Sequence, residues 1–291
     1  MNFDQPIFIL GNPRSGTTLL RLMLNAHPLL CIPPECGFME WWHNKYQYWN
    51  VQHNNDSDIT DFISDLKTSK KIETWKLDYS LLMQTIKEQR PAGYGQLCAL
   101  VYYTISIQQN KKAEHWGDKN NYYIHRLQLL QQLYPEAKYL MIIRDGRDVA
   151  VSYRGVEKLV TASVYKPKLP QAINDIAGEW LSNNNNILDF LKHSPVQHLI
   201  IRYEDLVTDS TSVLKKICLW LKIGFDENML LYYKQNGMNE KEPASLIDWK
   251  KKTLEAPDAN RIGQYKTEIA GSEIKAFESI AGILLKAFNY S

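Results

Sequence analysis

The chain has 291 residues, a hydrophobic fraction of 44% and a formal net charge of +2, enough for one substantial α/β core and too balanced for a protein built to bind polyanions such as nucleic acid. Cys31, Cys36, Cys98 and Cys218 fit neither a zinc pattern nor a disulfide framework and read as buried free thiols in a reducing compartment. No apolar run approaches the ~18 residues of a membrane span and no basic-plus-apolar leader precedes the first strand, so a cytoplasmic location is expected.

The first predicted strand, Pro6–Leu10, runs into Gly11-Asn12-Pro13-Arg14-Ser15-Gly16-Thr17-Thr18, a glycine-framed turn that opens a helix. Backbone N–H groups of such a turn and the positive end of the following helix point at an anion. Gly11 to Gly16 gives the G-x-x-x-x-G frame of a P-loop, but Thr17-Thr18 replaces the Lys-[Ser/Thr] pair, and Arg14 supplies the charge instead. The cradle is poorly equipped for ATP hydrolysis and suits a 5′-phosphorylated group whose chemistry needs no metal; an ordinary strand–turn–helix corner is the plain alternative. Leu19, Leu20, Met23 and Leu24 make the apolar face of a helix over Thr17–His27, with Pro28 closing it and Arg21 on the same turn system as Arg14.

From Glu35 to about Leu66 the chain is aromatic (Trp41, Trp42, Tyr46, Tyr48, Trp49) and then polar and loose (Asn50 to Asp58). It reads as a lid or substrate wall, or as a surface insertion packed by its own tryptophans. Residues 36–110 then form a helical, acceptor-side region within a single domain spanning 1–291. Helical periodicity continues over Gly93–Gln109 and Pro170–Lys192, where Asn183–Asn186 reads as a solvated face, and over Ser272–Phe288. Further strands are expected at Glu114–Asp118, Lys138–Ile143 and Gln197–Arg202. Strands alternating with helices give an α/β fold with a central parallel sheet flanked by helices. Ligands of such sheets sit beyond the carboxyl ends of the strands, where Gly11–Gly16, Asp118–Asn121, Arg144–Arg147 and Tyr203–Asp205 all fall.

These residues carry a family resemblance. Pro13-Arg-Ser-Gly-Thr-Thr-Leu-Leu-Arg21 resembles the 5′-phosphosulfate loop of sulfotransferases that use 3′-phosphoadenosine 5′-phosphosulfate (PAPS). Lys138-Tyr-Leu-Met-Ile-Ile-Arg-Asp-Gly-Arg-Asp-Val-Ala-Val-Ser152 resembles the same family's 3′-phosphate signature, a strand ending in Arg with a Ser eight residues later. The two occur in the expected order more than a hundred residues apart. The resemblance implies a P-loop-like three-layer fold, a PAPS donor leaving as 3′,5′-ADP (PAP) and no metal requirement. Its implied acceptor is a hydroxyl-bearing molecule: a carbohydrate, a tyrosyl side chain, a small alcohol or a polyketide.

Sulfuryl transfer resembles phosphoryl transfer in demanding positioning and charge stabilisation more than covalent work. The candidate base is Glu35 in Ile32-Pro33-Pro34-Glu35, whose prolines fix the backbone just ahead of the carboxylate. Tyrosylprotein and polyketide-synthase-type sulfotransferases carry a glutamate at the matching place. A helix-start role for Glu35 is the alternative, and His115 and His125 are rival bases. An ordinary carboxylate near pKa ~4.3 is a weak base for an alcohol, so desolvation is expected to raise it, or the proton moves late. Arg14 and Lys119 are the candidates for stabilising the leaving phosphate. Trp116-Gly-Asp-Lys119 resembles the family's W-x-D-K element, although Asn120-Asn121 replaces the usual [Ser/Thr]-Pro.

By the same resemblance Arg144 and Ser152 hold the 3′-phosphate and Tyr203, in Arg202-Tyr-Glu-Asp-Leu206, lies near the adenine. Arg147 and Asp148 read as helix-start residues. Asn260-Arg-Ile-Gly-Gln-Tyr-Lys266 resembles the loop that closes on the 3′-phosphate, with Arg261, Gly263 and Lys266 its candidate contacts. The donor set is thus Pro13, Arg14, Ser15, Gly16, Thr17, Thr18, Arg144, Ser152, Tyr203, Arg261, Gly263 and Lys266. A P-loop kinase would want a Walker lysine and a metal-binding Asp at a strand end, where Arg144 stands. A dehydrogenase would want the absent G-x-G-x-x-G, and a binding scaffold without turnover would not need Glu35 and Lys119.

Overall fold

A computed structural model describes residues 1–234 and 248–290. Five strands, β1 (Ile7–Leu10), β2 (Leu30–Cys31), β3 (His115–Asp118), β4 (Lys138–Ile143) and β5 (Gln197–Arg202), form one sheet in the order β2-β3-β1-β4-β5. Every pairing is parallel. The sequence analysis therefore places four strands to within a residue and misses β2, whose two residues are too few to show a pattern.

Side chains of a strand alternate between faces, and the two central strands are apolar on both. Ile7, Ile9, Leu140 and Ile142 enter one core with Leu20, Met23 and Leu24 of α1 (Thr17–Asn25) and with Leu214 and Ile217 of the Ser210–Leu221 helix. Phe8, Leu10, Tyr139, Met141 and Ile143 enter the other, with Trp180 of the Ile173–His193 helix and Phe277 of the Gly271–Ala287 helix. The result is three layers. All strands share a direction, so their carboxyl ends share one edge, and the loops after β1, β3, β4 and β5 meet there.

Within residues 36–110 the main elements are the helices Asp56–Lys67, Tyr79–Gln89 and Tyr94–Gln108. The polar stretch Asn50–Asp58 is not loose: Asn50 caps the turn Val51–His53, and Asn55 accepts from the Asp58 N–H to cap the next helix. Trp49 is buried against Tyr46 and Phe62, whereas Trp41 is exposed along a groove. Trp49 thus packs this region from within, while Trp41 borders the groove.

Asn183–Asn186 is a second correction. Asn183 and Asn184 are buried, and Asn183 Nδ2 donates to Asn12 Oδ1 at 2.8 Å. Composition reads as polar surface, but two of these asparagines turn inward to satisfy buried polar atoms. Arg21 is also buried, donating to the Ile32 carbonyl at 3.0 Å rather than joining Arg14. The four cysteines are buried and free. Among the described residues no helix is long and apolar enough to cross a membrane.

Candidate functional site

The loop Gly11–Gly16 leaves β1 and turns into α1 through two left-handed residues, Arg14 (φ 68°) and Gly16 (φ 95°). A Cβ on Gly16 would lie 2.5 Å from the Tyr203 ring, so a glycine is required there on both conformational and steric grounds. Asn12 is the loop's internal strut. Its amide donates to the Pro13 carbonyl at 2.9 Å and to Tyr153 Oη at 3.0 Å, and it accepts from Asn183.

Arg14 projects from this loop across the strand edge. Its Nε donates to Ser152 Oγ at 3.1 Å and its Nη2 to the Trp249 carbonyl at 2.9 Å. Arg144, at the end of β4, donates to the carbonyls of Arg14 and Arg261 at 3.3 and 3.0 Å, and its guanidinium lies 4.4 Å over the Tyr203 ring. Arg14, Arg144, Ser152, Tyr203 and Arg261 line one cavity with Gly16, Thr17 and Thr18. Burial, with Arg144 and Arg261 close by, lowers the Arg14 guanidinium to about 10. Arg144 Nε, Arg261 Nε and Ser15 Oγ are buried with no hydrogen-bond partner among the described residues. Crowded cations with idle donors are the signature of an anion-binding cavity, because only an anion satisfies both the charge and the hydrogen bonds.

The C-terminal loop is tied down by a residue that the sequence reads as a helix start. Asp148 Oδ2 accepts from the Gly263 N–H at 2.7 Å and Oδ1 from the Tyr265 N–H at 3.0 Å. Asp145 is the N-cap of Gly146–Glu157, accepting from the Arg147 N–H, so Arg147 and Asp148 stand in the first turn of that helix, and Arg147 pairs with Asp145 and Glu278. Arg261 is carried to the cavity this way. Gly263 stands at the staple with φ 76°, while Lys266 is exposed, its ammonium 5.9 Å from the Tyr265 ring centre, and is not brought to the cavity.

A narrow junction lined by Pro13, Arg14, Glu35, Lys71, Lys119 and Lys250 joins this cavity to a second hollow. Glu35 Oε1 pairs with Lys119 at the end of β3, and Oε2 with Lys71 Nζ at 2.9 Å. The preceding prolines hold the carboxylate there, with the Pro34 carbonyl accepting from Trp75 Nε1 at 3.0 Å. Glu35 does not cap a helix. Burial pushes its carboxyl up, but Lys119, Lys250 and Lys71 together hold it well below the usual carboxylate range. The expected rise through desolvation is therefore reversed in this state, because three ammonium groups outweigh it. Lys71 and Lys250 lie in no motif; Lys250 follows Trp249 in a basic run, and only the fold shows that it faces Glu35.

Beyond the junction opens a groove of about 900 Å³. Trp41, Tyr122 and Tyr165 offer it ring surface, and Lys70, Arg126, Lys168 and Glu179 offer charge. His125 lines this groove, but His115 sits at the far, amino end of β3. Asp118, next to Lys119, accepts from Tyr102 and Tyr123 at 2.6 and 2.7 Å.

A family profile described as "Sulfotransferase family" matches residues 6–227. A Caenorhabditis briggsae relative described as a protein-tyrosine sulfotransferase is 26% identical over 236 residues, covering 81% of this chain and 72% of the relative. The chain spans only about half of other curated relatives, 56% and 51% of two of them. Among solved structures, the sulfotransferase domain from the curacin biosynthetic pathway aligns with a TM-score of 0.61 and 24% identity, covering 94% of this chain and 96% of that one. A mouse sulfotransferase complexed with PAP aligns with a TM-score of 0.53 and 13% identity over 98% of this chain and 89% of that one. The fold and the profile match over three-quarters of its length agree: the chain belongs to the sulfotransferase family.

Proposed function

We propose that this protein transfers a sulfuryl group from PAPS to an acceptor hydroxyl. One observation carries the reading: a cavity ringed by Arg14, Arg144 and Arg261 opens through a junction onto Glu35, which pairs with two lysines, and then onto a wide groove. The idle Nε donors of Arg144 and Arg261, with Ser152 and the stacked face of Tyr203, suit a nucleotide carrying phosphates at both ends. The mouse structure with PAP supports that donor.

In this reading Arg144, Arg261 and Ser152 grip the 3′-phosphate, and the Pro13–Thr18 loop with Arg14 holds the 5′-phosphosulfate. Glu35 takes the acceptor proton as the acceptor oxygen bonds to sulfur. The sulfur–oxygen bond to the 5′-phosphate breaks with its electron pair leaving on the phosphate, where Arg14 and Lys119 stabilise the charge. Thr17 and Thr18 close the cradle, and Gly263 permits the turn that brings Arg261 over it. Lys266 plays no part in the gripping of this state.

The relatives named for protein tyrosine make a tyrosyl hydroxyl the first acceptor to test, and the groove is broad enough to admit a side chain presented on a peptide. The test is transfer of ³⁵S from labelled PAPS to a tyrosine-containing peptide and to an extract of the host. Wild type labels one of them, and Glu35→Gln lowers turnover by roughly 10²–10⁴ with nucleotide affinity nearly intact. Near-normal turnover in Glu35→Gln removes Glu35 as the base.

A further inference from the structure

Glu35 is held by two lysines of separate origin, one on each oxygen. Lys119 takes Oε1 from the end of β3, and Lys71 takes Oε2 from the turn between Asp56–Lys67 and Ile72–Trp75. A carboxylate has about four lone-pair sites, so an ammonium on each oxygen leaves room for a proton but weakens the base. Basicity rises when one clamp opens, and the surroundings decide which.

Lys119 borders the junction beside Arg14 and the phosphate loop, where charge develops on the leaving phosphate. Lys71 is fixed from the other side. Its backbone is left-handed at φ 71°, a conformation that is costly for a non-glycine residue and persists only when its surroundings enforce it. Trp42 Nε1 donates to Ser69 Oγ at 2.8 Å, Cys36 Sγ approaches the Lys70 carbonyl at 3.4 Å, and Thr74 N–H and Oγ1 both donate to the Lys71 carbonyl, at 3.0 and 2.6 Å. Tyr165 Oη donates to Glu73 Oε1 at 2.7 Å and sets its ring beside the Lys71 ammonium. The turn is built to keep one ammonium where it is.

On the assignment of Glu35 as base, we propose that Lys71 is a positioning residue that keeps hold of Oε2 while Lys119 releases Oε1 to the acceptor and turns to the leaving phosphate. The carboxylate then stays aimed through the transfer. Losing one of its cations makes it a stronger base at the moment the donor arrives. The charged groups facing Glu35 are Lys119 and Asp118 from β3, Lys71 from its turn, Arg14 from the phosphate loop and Lys250 from the segment after 248. Among them, Lys119 pairs with Oε1 and Lys71 with Oε2.

The experiment follows the Glu35 carboxyl by ¹³C NMR against pH, assigned with Glu35→Gln, in ligand-free protein and with saturating 3′,5′-ADP. Lys71→Met is expected to titrate about one pH unit above wild type in both states, with Lys71→Arg close to wild type. Its 3′,5′-ADP affinity by calorimetry stays within about twofold, whereas Lys119→Met loses about tenfold. Coincident titration of Lys71→Met and wild type overturns the proposal, as does unchanged nucleotide affinity in Lys119→Met. Lys71→Gln carries the same comparison should the methionine variant fail to fold. If wild type binds no 3′,5′-ADP, the donor reading falls, and the ligand-free titration still decides whether Lys71 holds Glu35.

Discussion

Two carboxyls, Glu35 half-buried and Asp118 buried, lie close together at the strand edge, and their surroundings drive them in opposite directions. Glu35 is flanked by lysines and is held low, whereas Asp118 accepts from two neutral tyrosine hydroxyls and the Lys119 N–H and is pushed up to about 6, mainly by burial. A carboxyl whose folded-state pKa exceeds its unfolded value near ~3.9 takes up its proton more readily when folded. Its contribution therefore favours folding below about pH 4 and is lost as pH rises to about 6. Asp118→Asn cannot titrate and keeps an oxygen for the two tyrosines. Its Tm relative to wild type should rise from pH 4 to pH 6 and level off above; a difference independent of pH would contradict the assignment. The identities of Arg14, Glu35, Lys119 and Arg144 were legible in the sequence because each sits in a motif of fixed spacing. Lys71 and Lys250 were not, since their role comes from chain reversals that bring distant turns onto Glu35. For the same reason the direction of the Glu35 shift was misread: desolvation can be foreseen from a motif, but the number of neighbouring cations cannot.

Elements carry the site by ending together. Of the four strands that were readable, β1, β4 and β5 carry three to five consecutive apolar residues bounded by turn signals, a pattern with few other interpretations. The two-residue β2 lacks any period, and the inward turn of Asn183 and Asn184 defeats composition because a helix face is polar or buried according to what packs on it. The staple between Asp148 and the Ala259–Tyr265 segment is the clearest case of an element fixed at long range. A carboxylate accepts both backbone N–H groups; an asparagine accepts one and sets its own NH₂ against the other. Asp148→Asn should loosen Arg261 over the cavity and weaken 3′,5′-ADP binding about tenfold, the worth of one charge-assisted hydrogen bond. Calorimetry checks this, and an unchanged affinity would mean that the loop is held otherwise.

At the scale of the whole molecule, a parallel sheet with all carboxyl ends on one edge gathers residues more than two hundred positions apart, Arg14 and Trp249 among them, into a single hollow. A cation-rich cavity, a narrow junction holding Glu35, and a broad groove follow one another along that edge. The order matches a transfer in which donor and acceptor enter from opposite sides and meet at one carboxylate. A net charge of only +2 is compatible with this, because a positive potential local to a cleft needs no large overall charge. The most direct measurement is isothermal titration calorimetry of the wild-type protein and Arg144→Ala with 3′,5′-ADP in EDTA, set beside ATP with Mg²⁺. The account predicts tight, metal-independent binding of 3′,5′-ADP by wild type, a loss of at least about tenfold in Arg144→Ala, and weaker binding of ATP. Binding of ATP–Mg²⁺ alone, or a 3′,5′-ADP affinity indifferent to Arg144, would contradict it.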